Sequence, residues 1–354
     1  MRFSRSVLLT FLLLSSLGGL SACKKNLQLL PAGPFVPRST YQPPLLYTIN
    51  NQVWAIDVLT GEKTLFMDGT TIPFYLSWSP DYSRLAYHDA DPDTYLGPIR
   101  VRDRVTGATI TLPGVLASYY GIRWSQDGRR LVALQYADGG TDGDLYLYDF
   151  STGLGRTVTM AGTEEYDPDI SPDGNRVAFF SSDGYTSGTL WVMGFDGSGM
   201  TDITPSDTWI SEISWLHDGR LLFQGDSSAD SEIQIMNPDG TGLVSVSNNP
   251  GSGDYVCYPS PDHRRVVFAS ERAAAFHAYV ANMDGSGLHQ VTNFEDTSWM
   301  PYYVWSPDGK WLAFRKVDTM DGTYDIWRVD VETGASVQLT DDSTFEREIC
   351  WGTL

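Results

Sequence analysis

The chemistry available to this chain rests on five histidines, three cysteines, serines set among glycines and a large excess of carboxylates. Ser198 lies in Asp196-Gly197-Ser198-Gly199, and the same tetrad recurs as Asp284-Gly285-Ser286-Gly287. A nucleophile elbow needs Gly-x-Ser-x-Gly on a strand-to-helix turn. The repetition instead reads as a strand-connecting turn, and no catalytic residue is assigned. A metal centre needs several histidines or carboxylates converging on one point. His217 and His263 fall in or beside one class of turn, His289 lies near another, and His88 and His277 are expected in loops on the opposite face. No metal ligand and no cofactor is assigned on that basis. Asp89, Asp91 and Asp93, and likewise Asp138, Asp142 and Asp144, alternate like a calcium loop, but Arg100 stands where the first run would need its acidic twelfth ligand. These carboxylates read as solvated loop charge.

Another set of aspartates is periodic. Asp81, Asp127, Asp173, Asp218, Asp262 and Asp308 each sit in an SPDG-like turn, spaced 44 to 46 residues apart. An aspartate in such a turn accepts hydrogen bonds from backbone N–H groups while the following glycine takes a positive φ, so the six are structural. Around each lies the same grammar. A short strand precedes the turn, often ending in tryptophan (Trp78, Trp124, Trp215, Trp305), and a β-branched or aromatic run such as Arg176-Val177-Ala178-Phe179 follows it. After a polar loop comes an alternating strand such as Leu190-Trp191-Val192-Met193, and a last short strand ends near Thr204, Thr292 or Thr340. Strands of this length joined by Gly/Asp/Pro turns, four to a repeat, are the signature of a propeller blade. The ends complete the count. Leu45 to Phe66 supplies the last three strands of a blade, and Ile349-Cys350-Trp351 supplies the missing first. The fold expected is therefore all-β, a seven-bladed propeller of four-stranded antiparallel blades, closed by pairing the C-terminal strand with the N-terminal half-blade. Closure removes the open edges that invite aggregation.

The SPDG turns, the Leu312-Ala313-Phe314 strand and the turn at 282 to 287 resemble the TolB-like, WD-type propeller repeats. The resemblance covers residues 45 to 354. It implies the fold and leaves the function open, because propellers host many activities. The chain is expected to depart from the TolB pattern in its blade count, seven rather than six, and in having no N-terminal α/β domain. The peptidase relatives of this repeat class carry a hydrolase domain with a Gly-x-Ser-x-Gly elbow, which these residues do not supply.

The N-terminus points to a membrane. Arg2 and Arg5 precede an apolar run from Val7 to Leu14 that is too short to span a bilayer and fits the core of a signal peptide. Leu20-Ser21-Ala22-Cys23 follows and resembles the lipobox of bacterial lipoproteins, in which cleavage leaves an acylated cysteine at the new N-terminus. Residues 1–22 are thus expected to be a signal peptide, Cys23 the lipidation site, 23–44 a Pro-rich tether and 45–354 the propeller. Lys24 does not match the aspartate that retains many lipoproteins at the inner membrane, so the expected location is the outer membrane, with the propeller in the periplasm or at the cell surface. The remaining cysteines, Cys257 and Cys350, fall on inner strands about 12 Å apart, beyond disulfide reach, and are expected as free, buried thiols.

Charge bears on partners. The formal net charge is −20. Most of the 44 Asp and Glu residues map to the face formed by the blade-to-blade loops and the loops between second and third strands. Only Arg272, Arg315, Lys316 and Arg347 oppose them there, while Arg84, Arg129, Arg130, Arg264, Arg265 and Lys310 follow the anchor turns on the other face. An acidic face disfavours nucleic acid and anionic lipid and favours basic segments or cations. Shortly before each anchor lie Tyr75, Tyr120, Tyr166, Trp209, Tyr255 and Trp299, with Phe345 at the closing position. These are expected either to wedge between blades or to form an aromatic collar suited to stacking and cation–π contacts. The function expected is a non-enzymatic, membrane-anchored binding or scaffold protein that presents this face to a protein, peptide or glycan. The alternative is a carbohydrate-active, metal-dependent lyase-like enzyme. Nothing in the sequence sets the oligomeric state.

Overall fold

A computed structural model describes residues 43–114, 117–137, 143–158, 160, 163–182, 188–205, 209–226, 230–273, 275–294, 302–317, 324–341 and 348–351. Residues 1–42, which include the segment expected as a signal peptide, Cys23 and most of the expected tether, lie outside these residues. So do Trp299 and Phe345. The chain divides into Met1–Pro31 and the compact unit Ala32–Leu354, to which all described residues belong.

Seven four-stranded antiparallel sheets succeed one another along the chain as the blades of a propeller. Blade 1 combines Ile349–Cys350 with Leu45–Ile49, Gln52–Ile56 and Lys63–Met67. Blade 2 opens at Ile72, blade 3 at Ala117, blade 4 at Glu164, blade 5 at Trp209, blade 6 at Asp254 and blade 7 at Tyr303. The ring closes as the two chain ends required, with Cys350 opposite Leu46 and Ile349 opposite Tyr47. Second strands are covered on both faces by neighbouring blades, which is why every residue of Arg84–Ala90 is buried. Outer strands meet water, and most of Leu154–Val158 is exposed.

The anchor aspartates are structural, as their turn chemistry dictates. Asp173 accepts from the Ser171 hydroxyl at 2.6 Å and from Asn175 N–H at 3.0 Å, while Ser171 Oγ accepts from Arg176 N–H at 2.9 Å. The arrangement repeats at Asp127, Asp262 and Asp308. Glycine takes the left-handed position in most copies, but Tyr82 (φ 56°) and His263 (φ 52°) occupy it in blades 2 and 6.

Arg129 and Arg264 are exposed, but three other arginines that follow these turns are not the surface charges their positions suggest. Arg84 is 7% exposed and donates to Gly128 O of the next blade at 2.5 Å, with its guanidinium over the rings of Trp124 and Phe150. Arg130 reaches Gly174 O and stacks on Phe195, and Arg265 reaches Gly309 O at 2.6 Å and stacks on Trp305. In the opposite direction, the indoles of Trp124 and Trp305 each donate to an inner-strand carbonyl of the preceding blade, both at 3.1 Å. Planar cations thus staple blade to blade. Burial pulls the Arg84 guanidinium pKa down, against the opposing pull of Asp81, Asp103 and Asp127. Arg84→Ala is expected to cost roughly 2–3 kcal/mol in urea unfolding, because it leaves the Gly128 carbonyl without its charged donor and uncovers the Trp124 and Phe150 rings. Lysine should rescue it only partly, having no planar face to stack. A loss below about 1 kcal/mol, the level of an ordinary surface change, would defeat the staple.

Candidate functional site at the propeller axis

The inner strands do not run straight. Register shifts between Phe74 and Ser77, Tyr120 and Arg123, Tyr166 and Asp169, Ser211 and Ser214, and Tyr255 and Tyr258. Within each bulge one residue is left-handed: Tyr75, Gly121, Asp167, Glu212 and Val256, with φ between 46° and 55°. For β-branched Val256 that conformation is strained. Bulges re-aim side chains and free a backbone N–H that needs a new partner. In three of them the preceding blade supplies it. Tyr75 N–H donates to Glu348 Oε2 at 2.7 Å, Glu212 N–H to Asp167 Oδ2 at 2.9 Å, and Val256 N–H to Gln224 Oε1 at 2.9 Å.

These positions gather ionisable groups from separate blades within electrostatic reach of one another, around the axis. Burial pushes the Glu212 carboxyl up to about 7, and the negative charge of Asp167 adds to the rise, against Arg123 and a hydrogen bond with Tyr258. Burial likewise lifts Asp169 to about 6 although Trp215 N–H donates to it at 2.6 Å. Glu348 is raised by burial and opposed by Tyr75 N–H and Arg315. Tyr258 and Tyr302 are both raised, first by burial and then by Glu212, and their ring centroids lie 6.3 Å apart. Tyr302 nevertheless stays 57% exposed, so the cluster is open to solvent. The thiols are not reactive centres. Cys257 and Cys350 are free and buried as expected, and burial holds Cys350 up at about 12 and Cys257 well above its ordinary value.

The residues assigned to the collar fall on different registers. Tyr75 occupies a bulge and packs against the core between blades 2 and 3. Tyr120, Tyr166 and Tyr255 stand one place before the bulge, paired with Leu134, Phe180 and Ala269, and Trp209 opens its strand opposite Asp226. Tyr166 packs near Phe180 and donates its hydroxyl to Glu164, and Tyr255 meets the Phe276 ring edge-on at 5.8 Å.

Several loop-face carboxylates are engaged in the fold. Asp254, fully buried, pairs with Arg272 at 2.9 Å, and Asp89 pairs with Arg100 at 2.5 Å and accepts from the Thr71 hydroxyl. Asp91 accepts from the N–H groups of Asp93 and Thr94, closing a turn, while Asp68, Asp93, Glu271 and Asp341 are exposed. Asp138 and Asp142 lie outside the described residues. His88 and His277 are not in loops. Both are buried on strands, His88 edge-on to Tyr119 at 5.7 Å. His217 and His263 sit in anchor turns and stack at 3.7 Å. Among the described residues no group of three or more His, Cys, Asp or Glu is placed to hold a metal ion. The axial cluster escaped the sequence reading, although an acid inside an inner strand flanked by tryptophan and isoleucine, as in Trp209-Ile210-Ser211-Glu212-Ile213-Ser214-Trp215, was its visible sign.

The comparisons agree with this architecture. A family model described as TolB beta propeller domain matches residues 121–292. The chain thus carries a β-propeller similar to the TolB propeller domain. The Tol-Pal system protein TolB of Francisella tularensis subsp. tularensis (strain WY96-3418) is 22% identical over 228 residues, 62% of this chain and 50% of that protein. The propeller therefore spans about half the length of the curated relatives it matches. The crystal structure of TolB from Acinetobacter baumannii aligns with a TM-score of 0.51 at 18% identity, covering 69% of this chain and 62% of that one. An oligogalacturonate lyase from Vibrio parahaemolyticus aligns with a TM-score of 0.66 at 12% identity, covering 86% and 87%. At such identities the structural likenesses speak for the fold alone.

Proposed function

We propose that this propeller is a non-enzymatic binding or scaffold protein of the cell envelope, anchored by lipid on Cys23, that presents its loop-side axial mouth to a protein, peptide or glycan. The observation that carries this reading is the convergence of Asp167, Glu212, Tyr258 and Tyr302, from four successive blades, on one site where Tyr302 meets solvent. A carboxylate raised by burial and by a neighbouring negative charge, as Glu212 is, gains from a cationic group that enters beside it, and tyrosines beside it add stacking and cation–π attraction. The collar residues Tyr75, Tyr120, Tyr166, Trp209, Tyr255, Trp299 and Phe345 are proposed as the outer contacts of that mouth. The relatives are named as proteins of the Tol-Pal system, which supports a protein partner. A metal-dependent lyase shares the fold but draws no support from the donor groups described, since His88 and His277 are packed into the core.

Capture of an envelope partner should strengthen as pH rises from about 5 to about 8, because Glu212 and Asp169 then ionise, and should weaken as salt rises. Replacing Trp209 and Trp299 with Ala should lower capture while leaving the melting temperature within a few degrees. A pull-down that is flat in both pH and salt, or variants that unfold early, would count against this mouth as the site.

A further inference from the structure

Four third turns share one sequence pattern and one geometry. In Asp57–Gly61, Asp103–Gly107, Asp149–Gly153 and Asp330–Gly334 the aspartate carbonyl accepts from the glycine N–H at 2.8 to 3.0 Å. Its carboxylate accepts from the residue at the tip: Leu59 at 2.8 Å, Val105 at 3.0 Å, Ser151 at 2.8 Å and Glu332 at 3.1 Å. The four tips are therefore equivalent positions, and all of them meet water. Blades 3 and 7 put serine and glutamate there, as a solvated tip favours. Blades 1 and 2, which are neighbours, put leucine and valine there, 73% and 79% exposed, and Leu65 on the outer strand of blade 1 is 47% exposed. Isolated exposed apolar residues are ordinary. Apolar residues are exposed beside the third turns of other blades too, as at Leu154 (67%) and Val337 (42%), but of the four equivalent turns only those of the adjacent blades 1 and 2 put an apolar residue at the tip itself.

The path of the chain identifies what covers them. Leu45 pairs with Ile56, immediately before the Asp57 turn, so the tether joins the propeller on the face and in the blade that carry Leu59. The Trp351 indole holds that junction by donating to Pro43 O at 3.2 Å. Residues 24–42, if fully extended, allow the propeller no more than about 70 Å of travel from a lipid on Cys23. A contact too weak to recruit the domain from solution becomes intramolecular under such a tether. Charge agrees, since the acidic loop face is the one anionic headgroups repel, and it lies at the opposite end of the strands.

We infer that the third turns of blades 1 and 2, tipped by Leu59 and Val105, dock onto the lipid surface and hold the loop-side mouth away from the membrane. The inference rests on the lipid anchor at Cys23 but not on the identity of the ligand. Its test uses the full acylated chain on vesicles of phosphatidylethanolamine and phosphatidylglycerol. Val105→Cys and Glu332→Cys variants would each carry an environment-sensitive fluorophore, the native Cys257 and Cys350 being buried. The expected result is a blue shift and quenching by brominated lipid at position 105 and neither at 332, with Leu59→Asp cutting the quenching at 105 by about twofold or more. Flotation separates the two ways of failing. If the chain does not float with vesicles, the anchor and the docking fall together. If it floats and position 105 reports water like 332, the docking alone falls. Shielding of 105 only after envelope proteins are added would make the tips a protein contact and overturn the lipid assignment.

Discussion

Deletion of residues 348–354 is expected to open the ring and to lower the urea midpoint more than any single substitution. This short segment joins three blades. Its strand pairs with blade 1, where Thr48 N–H donates to Glu348 O at 3.1 Å, and the Glu348 carboxylate accepts from Tyr75 of blade 2. Trp351, 4% exposed, packs with Ala313 and Ile326 of blade 7. Truncating a buried tryptophan alone costs about 3–5 kcal/mol, a large share of a typical total of about 5–15 kcal/mol. Losing the strand as well bares the edge of blade 1, so aggregation should accompany the loss. Trp351→Ala is the milder variant and should fall between the deletion and the parent. A deletion that unfolds at the parent midpoint would mean that this strand does not close the ring.

What could be read from the sequence was local chemistry that repeats. An aspartate two residues after a serine sets a turn by itself, and the pattern stayed legible at Asp81 and Asp262 even though Tyr82 and His263 stand where glycine is usual. Blade closure was legible because it is a matter of counting strands at two ends. The bulges were not. Alternation cannot reveal an inserted residue that shifts the pairing phase, so a collar chosen by distance from the anchors mixed Tyr75, inside a bulge, with Tyr120, Tyr166 and Tyr255 just before one. Partners from neighbouring repeats were hidden for a related reason. Arg84 looks like surface charge until Gly128 and Trp124 of the next blade are placed around it. His88 looks like a loop residue because a polar side chain near a strand end carries no sign of the aromatic cage, Phe74 and Tyr119, that buries it.

The axial cluster gives the propeller an unusual expected dependence on pH. Glu212 has its folded pKa raised from 4.5 to about 7. The folded state therefore holds a proton that the unfolded state has released between those values, and stability falls as pH rises through that window. Full conversion of the shift would amount to roughly 3 kcal/mol, and the partly exposed setting of the carboxylate reduces it to about 1–2 kcal/mol. Asp169, lifted from 3.8 to about 6, adds a second decline of the same sign at lower pH. Glu212→Gln keeps an acceptor for Tyr258 and removes the charge beside Asp167. It should be more stable than the parent at about pH 8, equal to it at about pH 4, and flatter in between. Urea midpoints of both proteins across that range measure the difference. Profiles that run parallel would show that Glu212 carries no strain from its neighbours. Adding a cationic ligand at about pH 8 should then stabilise the parent more than the variant, because only the parent has a crowded carboxylate for the ligand to neutralise.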